Sequence, residues 1–136
     1  MAPRKALLAA PVLAGIVAAG LAEPGFTSAT SLPHLKHVVG TAHVDYGREA
    51  IVLHTGDRLW IVNNSNFLHV ITLGYNSLIE RERGAPHIGN ALGLEVMPHG
   101  ARYQTPPWNT PGVFHLTCTL HAHMNLTVIV ERRPVG

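Results

Sequence analysis

The sequence contains few cysteine, aromatic and charged residues. Cys118 is the only cysteine in 136 residues, so no disulfide can form within the chain, and this thiol is free, metal-bound or paired with another molecule. Aromatic residues make up 6% and charged residues 13% of the chain, and the net charge is +2. The basic residues are spread out, so the composition does not indicate nucleic-acid binding.

Long apolar runs are also scarce, and the main one lies at the N-terminus. Residues 6–22 carry no charge, follow Arg4 and Lys5, and are followed by small residues at 27–29. This order of basic, apolar and small residues is typical of a secretory signal peptide. A proline and two glycines make the run weak as a membrane span, although an uncleaved anchor is the alternative. We expect a signal peptide over residues 1–29, a periplasmic or secreted protein, and no membrane span in its mature form.

No convincing amphipathic helix is found after residue 37. Short runs of β-branched and aromatic residues alternate with glycine, proline and asparagine, which favours an all-β domain. Residues 30–43 are interpreted as a lead-in with the first strand, and residues 44–136 as the domain itself. Residues 74–93 are polar and rich in residues that interrupt regular secondary structure. This pattern predicts a surface excursion or a short helix. The eight expected strands suit a Greek-key β-sandwich and cover residues 38–44, 50–54, 58–63, 69–73, 94–97, 101–105, 112–118 and 126–131.

Apolar residues alternate regularly before the cysteine. Phe114, Leu116 and Cys118 are spaced two apart, so they share one strand face, which we expect to point into the core. Trp60 is expected in the core as well. A cysteine in this position is, on its own, more often a small buried hydrophobic residue than a ligand.

Histidine is the main compositional excess, with ten residues. Two of these histidines follow the cysteine closely, in the segment Cys118-Thr-Leu-His121-Ala-His123-Met124. We expect this segment to be a six-residue excursion between two strands, which places a thiolate, an imidazole and a thioether on one tight loop. Two imidazoles and a thiolate in a plane, with a weak axial thioether, form the ligand set of blue-copper sites.

The second equatorial imidazole has to come from elsewhere in the chain. His69 follows a strand and a polar turn, from which it can face the cysteine loop across the end of a sandwich. We therefore predict one copper ion per chain, bound by His69, Cys118, His121 and Met124. Further candidates are His123 as an alternative ligand, His99 behind the site, and a weaker surface metal site among His34, His37 and His43.

The same segment resembles the copper-ligand loop of the cupredoxins, the type 1 blue copper proteins. It is most similar to amicyanin- and plastocyanin-like members with a short Cys-x-x-His-x-x-Met loop. The similarity covers residues 44–131 and includes Pro111-Gly112 at the start of the cysteine strand. It implies a Greek-key β-sandwich, electron shuttling between larger redox partner proteins, and copper ligands at His69, Cys118, His121 and Met124.

Three positions depart from the cupredoxin pattern. Val70 follows the first ligand histidine, where relatives commonly have an asparagine that ties the two ligand loops together. Leu126 and His123 replace a glycine and an aromatic residue. The missing asparagine predicts either a substitute, such as Asn64 or Asn66, or a looser site, because hydrogen bonds behind metal ligands orient them.

The functional expectation is an electron carrier rather than an enzyme. A copper-handling protein that sequesters or transfers the ion is the alternative, favoured by the histidine excess and the altered surroundings of the site. A red-copper-type enzyme is a third reading, but it needs an open coordination position, which one thiolate in one domain does not readily supply. If Leu68, Pro98 and Leu120 are exposed around His121, they form the expected docking patch for a redox partner.

Overall fold

The computed structural model describes residues 37–136, which form two β-sheets around a common core. No helix occurs within this part of the chain. The all-β sandwich predicted from the sequence is therefore confirmed. The nine strands are β1 (His37–Thr41), β2 (Ala50–His54), β3 (Leu59–Asn63), β4 (His69–Tyr75), β5 (Leu78–Ile79), β6 (Glu95–Met97), β7 (Arg102–Gln104), β8 (Gly112–Cys118) and β9 (His121–Glu131).

The two sheets differ in size. The smaller has the strand order β1-β3-β7, and the larger has the order β2-β9-β8-β4-β5, with β6 also paired to β4. The pairs β1–β3 and β2–β9 are parallel, and the remaining strand pairs are antiparallel. The three strands that carry the predicted ligands, β4, β8 and β9, are thus neighbours in one sheet.

The core is built from every second side chain of the strands, as expected for sheets with one buried face. In β3, Leu59, Ile61 and Asn63 are buried, while the residues between them are half-buried. Burial of each large aliphatic side chain contributes about 1.5–3 kcal/mol to folding. In β8 and β9 the buried alternating residues are Phe114, Leu116, Cys118, Met124, Leu126, Val128 and Val130.

The sequence analysis placed two aromatic residues in the core, and one of these two placements is wrong. Phe114 is buried, but Trp60 is only half-buried because it lies on the face of β3 opposite to Leu59 and Ile61. Trp108, which lies outside the named strands, is 1% exposed and packs with its ring centroid 5.6 Å from that of Phe114. Its indole Nε1–H donates to Thr105 Oγ1 at 3.0 Å.

Residues 74–93 form a surface excursion, and the alternative of a short helix is wrong. The excursion begins with the hairpin β4–β5, whose two-residue turn is Asn76-Ser77 with φ angles of 48° and 67°. Two positive φ angles match the twist of neighbouring strands in a tight hairpin. Gly74 is required beside the turn, because its φ is 140° and a Cβ atom there would lie 1.9 Å from the Leu78 carbonyl oxygen.

A network centred on Asp57 fastens both ends of the described chain to the turn between β2 and β3. His37 Nε2 lies 2.8 Å from Asp57 Oδ2, the His54 backbone N–H donates to the same oxygen at 2.9 Å, and Arg133 pairs with Oδ1. Burial raises the pKa of Asp57, but the hydrogen bonds from His54 and His37 and the charge of Arg133 together hold it below its usual value. The ionised carboxylate is thus the form that the fold stabilises.

The predicted signal peptide, residues 1–29, and residues 30–36 of the lead-in lie outside the described residues. The first strand expected within 30–43 is β1, which belongs to the smaller sheet. Over residues 37–136, no helix has the length and apolar character needed to cross a membrane.

Candidate metal centre

Three strand ends meet at one end of the larger sheet. His69 is the first residue of β4, Cys118 is the last of β8, and His121 is the first of β9. Because β8 runs antiparallel to both neighbours, its C-terminal end lies beside the N-terminal ends of β4 and β9. The sequence thus brings together three side chains that are up to 52 positions apart, 69 to 121.

The donor atoms of these residues have the spacing of a trigonal metal site. Cys118 Sγ lies 3.8 Å from His69 Nδ1 and 3.4 Å from His121 Nδ1. A metal ion bonded to nitrogen at about 2.0 Å and to sulfur at about 2.3 Å, with trigonal angles, separates such donors by roughly 3.7 Å. All three donor atoms lie within 4.8 Å of one another, and no other cluster of this kind occurs among residues 37–136.

The chemistry of the donors and their burial fit a transition metal. Two imidazoles and a thiol suit borderline and soft metal ions, whereas magnesium and calcium prefer oxygen ligands. Cys118 and His69 are fully buried, and His121 is half-buried. The centre is therefore shielded from water on two sides and reaches the surface at one imidazole.

Electrostatics keep His69 in the form that binds metal. Burial lowers the pKa of His69, and the neighbouring His121 lowers it further, while a backbone hydrogen bond with His43 acts in the opposite direction. A histidine must be neutral to ligate a metal ion. Near neutral pH, His69 is therefore uncharged.

The segment after Cys118 is more regular than predicted. We expected an open excursion over residues 119–124, but β9 begins at His121, directly after a turn at Thr119-Leu120. That prediction is wrong because backbone pairing resumes at once, with Cys118 opposite His121. The tight turn holds the thiol and the first imidazole on adjoining strands, where little rearrangement is possible.

A bulge in β9 accommodates the residues that sequence analysis placed in the loop. Thr117 pairs with Asn125 while the next residue pairs with His121, so residues 122–124 are extra on the β9 side. His123 takes the left-handed conformation, with φ 68°, and its side chain is exposed outside the cluster. Of the two imidazoles after the cysteine, His121 is therefore the one beside the thiol.

Met124 ends this bulge and is fully buried. Its backbone carbonyl accepts a hydrogen bond from Thr117 Oγ1 at 3.1 Å, which fixes the chain at this point. Burial of the thioether on the core side of β9 is compatible with an axial ligand. The axial role of Met124 stays a prediction.

Backbone hydrogen bonds link the two ligand segments. The Val70 N–H donates to Cys118 Sγ at 3.4 Å, and the Thr119 N–H donates to the Val70 carbonyl at 3.0 Å. The asparagine expected after the first histidine is thus replaced by the main chain itself. Asn64 and Asn66, the substitutes suggested by the sequence, are exposed.

Asn63 is a residue whose role the sequence analysis missed. It is fully buried, its Nδ2 donates to the carbonyl oxygens of Phe67 and Met97 at 2.8 Å each, and its Oδ1 accepts from the Ser65 N–H at 2.9 Å. These bonds hold the turn that precedes His69. The alternation of β3 was the available signal, since it places a polar residue at position 63 on the same face as Leu59 and Ile61.

Ser65 contacts the buried imidazole, and His99 contacts Ser65. Ser65 is 4% exposed, and its Oγ lies 2.8 Å from His69 Nε2. His99 Nδ1 lies 2.7 Å from the Ser65 carbonyl oxygen, so His99 supports the turn rather than joining the donor cluster.

The weaker surface metal site suggested among His34, His37 and His43 stays a prediction. His34 lies outside the described residues, and His37 is paired with Asp57. The ring of His43 packs instead against Phe67, with the two centroids 6.1 Å apart. His37 and His43 therefore have separate surroundings.

Several apolar residues close to the ligands in the chain are exposed. The Phe67 ring lies with its centroid 5.9 Å from that of His121, and it is 46% exposed. Leu68 and Leu120 are 47% and 52% exposed, and Pro98 is exposed too. We refer to Phe67, Leu68, Pro98 and Leu120 as the apolar patch.

Tyr46 is buried at 1% exposure, and its hydroxyl has no hydrogen-bond partner among residues 37–136. Burial raises the pKa of Tyr46 well above its usual value, and the charge of Cys118 raises it further. The phenol therefore stays protonated.

Comparison with known structures identifies the architecture. An oxidised methionine-to-lysine mutant of amicyanin shares 19% identity and a TM-score of 0.53, over 71% of this chain and 82% of that one. A reduced proline-to-phenylalanine mutant gives 21% identity and a TM-score of 0.53, over 74% and 87% of the two chains. The chain has the cupredoxin fold. A third similar structure, a proline-to-glycine mutant of amicyanin in its reduced Cu(I) form at pH 4, has 19% identity, a TM-score of 0.54 and the same coverage of 74% and 87%.

No family model matches the chain, and no curated protein does either. The cupredoxin fold is thus recognised from the path of the backbone. Within that fold, His69, Cys118 and His121 stand at the ends of adjacent strands.

Proposed function

We propose that the chain is an exported mononuclear copper protein that carries single electrons between redox partner proteins. The observation that carries the proposal is the convergence of three donor atoms, with Cys118 Sγ 3.8 Å from His69 Nδ1 and 3.4 Å from His121 Nδ1. Two imidazoles and a thiolate in one plane, with a weak axial thioether, distinguish blue-copper centres from other metal sites. His69, Cys118 and His121 would hold the copper ion, with Met124 as the further ligand predicted from the sequence.

The residues around the centre suit electron transfer. Bound copper supplies a one-electron couple between Cu(I) and Cu(II). The donors are held by paired strands and a two-residue turn, so their positions change little when the charge of the centre changes. The Val70 N–H directed at Cys118 Sγ adds a hydrogen bond to the sulfur, and such bonds tune the reduction potential of sulfur-ligated metals.

The position of His121 defines the exit route for electrons. It is the half-buried member of the cluster, and Phe67 of the apolar patch packs edge-on against its ring. A small apolar surface with few charges suits the brief, weak encounters of redox proteins. The partner therefore docks over His121.

Burial of the centre argues for a carrier over an enzyme. Metal-dependent oxidation needs an open coordination position, whereas His69 and Cys118 are 0% exposed. Small anions test this point: addition of azide should leave the spectrum of the copper-loaded protein unchanged, while a shift would indicate an open, red-copper-type site.

Export rests on the sequence of residues 1–29. The basic start, the apolar run and the small residues that follow are the features of a signal peptide. Mass spectrometry of the protein recovered from the producing cell tests this prediction. We expect a chain that begins near residue 30 in the exported fraction, and an intact N-terminus would contradict export by cleavage.

Copper loading followed by voltammetry tests the electron-carrier function. We expect a reversible one-electron couple and slow loss of copper to a chelator. Rapid loss to the chelator without a reversible couple would favour the alternative, a protein that sequesters or transfers copper.

A pair of leucine variants tests the docking surface. Leu120→Lys places a positive charge in the apolar patch, so two copies that meet through this patch repel each other. We expect electron self-exchange to slow by about tenfold or more, since charge at a contact changes mainly the association rate. Leu92, 76% exposed in the excursion after β5, is the matched control, and Leu92→Lys should leave the rate unchanged. Equal rates in both variants would place docking elsewhere.

A further inference from the structure

We infer that Ser65 is a positioning residue that holds the His69 proton on Nε2 and leaves the Nδ1 lone pair free for the metal. This inference deepens the proposed copper site and rests on it only for the metal-binding measurement. Ser65 Oγ lies 2.8 Å from His69 Nε2, and the two residues are 4% and 0% exposed, so bulk water is kept from this contact.

The direction of the hydrogen bond follows from the orientation of Asn63. One end of its amide lies 2.8 Å from the carbonyl oxygens of both Phe67 and Met97, which only accept hydrogen bonds. The other end lies 2.9 Å from the backbone N–H of Ser65, which only donates. The amide nitrogen therefore faces the carbonyls, and Oδ1 faces Ser65.

The orientation of Asn63 decides where the Ser65 proton lies. Ser65 Oγ and Asn63 Oδ1 are 2.7 Å apart, and two oxygens at this distance need a proton between them. Asn63 Oδ1 has none, so the Ser65 hydroxyl donates it. The other acceptor in reach, the Phe67 carbonyl at 3.4 Å, would also take the proton away from His69.

His69 must then be the donor to Ser65. Ser65 Oγ already accepts the Phe67 N–H at 3.2 Å, and its remaining lone pair receives the Nε2–H of His69. A neutral imidazole carries one proton, so Nδ1 is left with a lone pair. This nitrogen is the one that lies 3.8 Å from Cys118 Sγ in the donor cluster.

The hydrogen-bonded series Asn63–Ser65–His69 thus fixes both the tautomer and the ring orientation of one predicted ligand. Partners of this kind raise metal affinity, and their removal typically costs about 10- to 100-fold in binding. In this chain, residues that precede the ligand in sequence supply the support, and Val70, which follows it, contributes through its backbone.

Long-range ¹H–¹⁵N correlation spectra of the metal-free full chain, recorded at neutral pH, test the tautomer directly. We expect the His69 ring to carry its proton on Nε2. A proton on Nδ1, or averaging between the two tautomers, would overturn the inference. The correlation spectrum requires no metal, so its result is independent of the copper proposal. The copper proposal is tested separately, by the visible spectrum of the copper-loaded protein.

Substitutions separate positioning from general packing. Ser65→Ala should give a mixture of His69 tautomers and about 10- to 100-fold weaker binding of Co²⁺, used as a probe ion. Ser65→Thr keeps the hydroxyl and should retain the Nε2–H tautomer, so the assignment stays testable if the alanine variant does not fold.

Ser77 provides the matched control, because its hydroxyl donates to the Cys118 carbonyl at 2.8 Å and touches no imidazole. Ser77→Ala should leave the His69 tautomer unchanged. An unaltered tautomer in Ser65→Ala, or the same mixture of tautomers in Ser77→Ala, would show that Ser65 has no specific positioning role.

Discussion

Replacement of Asn63 by alanine should cost a large part of the stability of the domain. The side chain is fully buried and takes part in five hydrogen bonds: two donated to Phe67 and Met97, and three accepted from Thr41 and from the backbone and hydroxyl of Ser65. In the alanine variant these partners stay in the interior and lose their hydrogen bonds to Asn63.

The magnitude follows from the number of bonds that are not replaced. The Ser65 hydroxyl can turn to the Phe67 carbonyl, 3.4 Å away, so four of the five are lost outright. At about 1 kcal/mol net for each hydrogen bond, the loss is about 4 kcal/mol. Single domains have a free energy of unfolding of about 5–15 kcal/mol, so the variant should be close to unfolding.

Urea unfolding of the metal-free protein, followed by tryptophan fluorescence, measures this loss. Asn66→Ala, an exposed asparagine in the same turn, is the matched control and should change stability by less than about 0.5 kcal/mol. Asn63→Asp removes the donors to Phe67 and Met97 and adds a carboxylate to the interior, so it should also destabilise. A loss below about 1 kcal/mol for Asn63→Ala, with an unchanged dependence on urea, would refute the reasoning.

Three further predictions concern other parts of the molecule. The lowered pKa of Asp57 means that its contribution to stability is complete above the ordinary carboxyl value of about 3.9 and is lost as the pH falls through the lower folded value. Asp57→Asn should therefore lower the free energy of unfolding at neutral pH and reduce its dependence on acid below about pH 4, and an identical acid dependence would contradict this. Tyr46→Phe removes a buried hydroxyl without a partner among residues 37–136, so the melting temperature should stay constant or rise. A drop would show that the hydroxyl is bonded. Met124→Leu should raise the reduction potential in voltammetry while the visible band is kept, because a weak axial donor is lost. An unchanged potential would remove Met124 from the ligand set.

Short-range patterns made most of the fold predictable. The bounds of β2 and β8 agree with the sequence analysis, because turn residues delimit both strands and β8 alternates regularly up to Cys118. Position 60 was misread because tryptophan is usually associated with the core, whereas the period of two in β3 had already placed its neighbours on the buried face. The alternation of the strand was a better guide to burial than the size of the residue.

Features that depend on tertiary pairing were not predictable. The hairpin strand β5 is two residues long, which is too short for a periodic signal. The early start of β9 and its bulge follow from the register against β8, a property of two strands together. The support of His69 by Ser65 depends on a turn whose shape is set by Asn63, and no spacing rule connects these residues to a ligand.

The donor cluster was predictable because its chemistry restricts the choices. Cys118 and His121 are three residues apart, and a trigonal site needed one more imidazole, for which His69 had the most suitable turn. The structure brings these three residues together, and it replaces the expected asparagine link between the ligand segments by main-chain bonds of Val70 and Thr119.

The visible and electron paramagnetic resonance spectra of the Cu(II)-loaded protein, compared with those of Cys118→Ser, test the central claim most directly. Convergence of the thiolate with His69 and His121 on one copper ion predicts an intense visible band from sulfur-to-copper charge transfer that disappears in the serine variant. A colourless loaded protein, or a band that survives the loss of the sulfur, would contradict the assignment of these residues as a blue-copper centre.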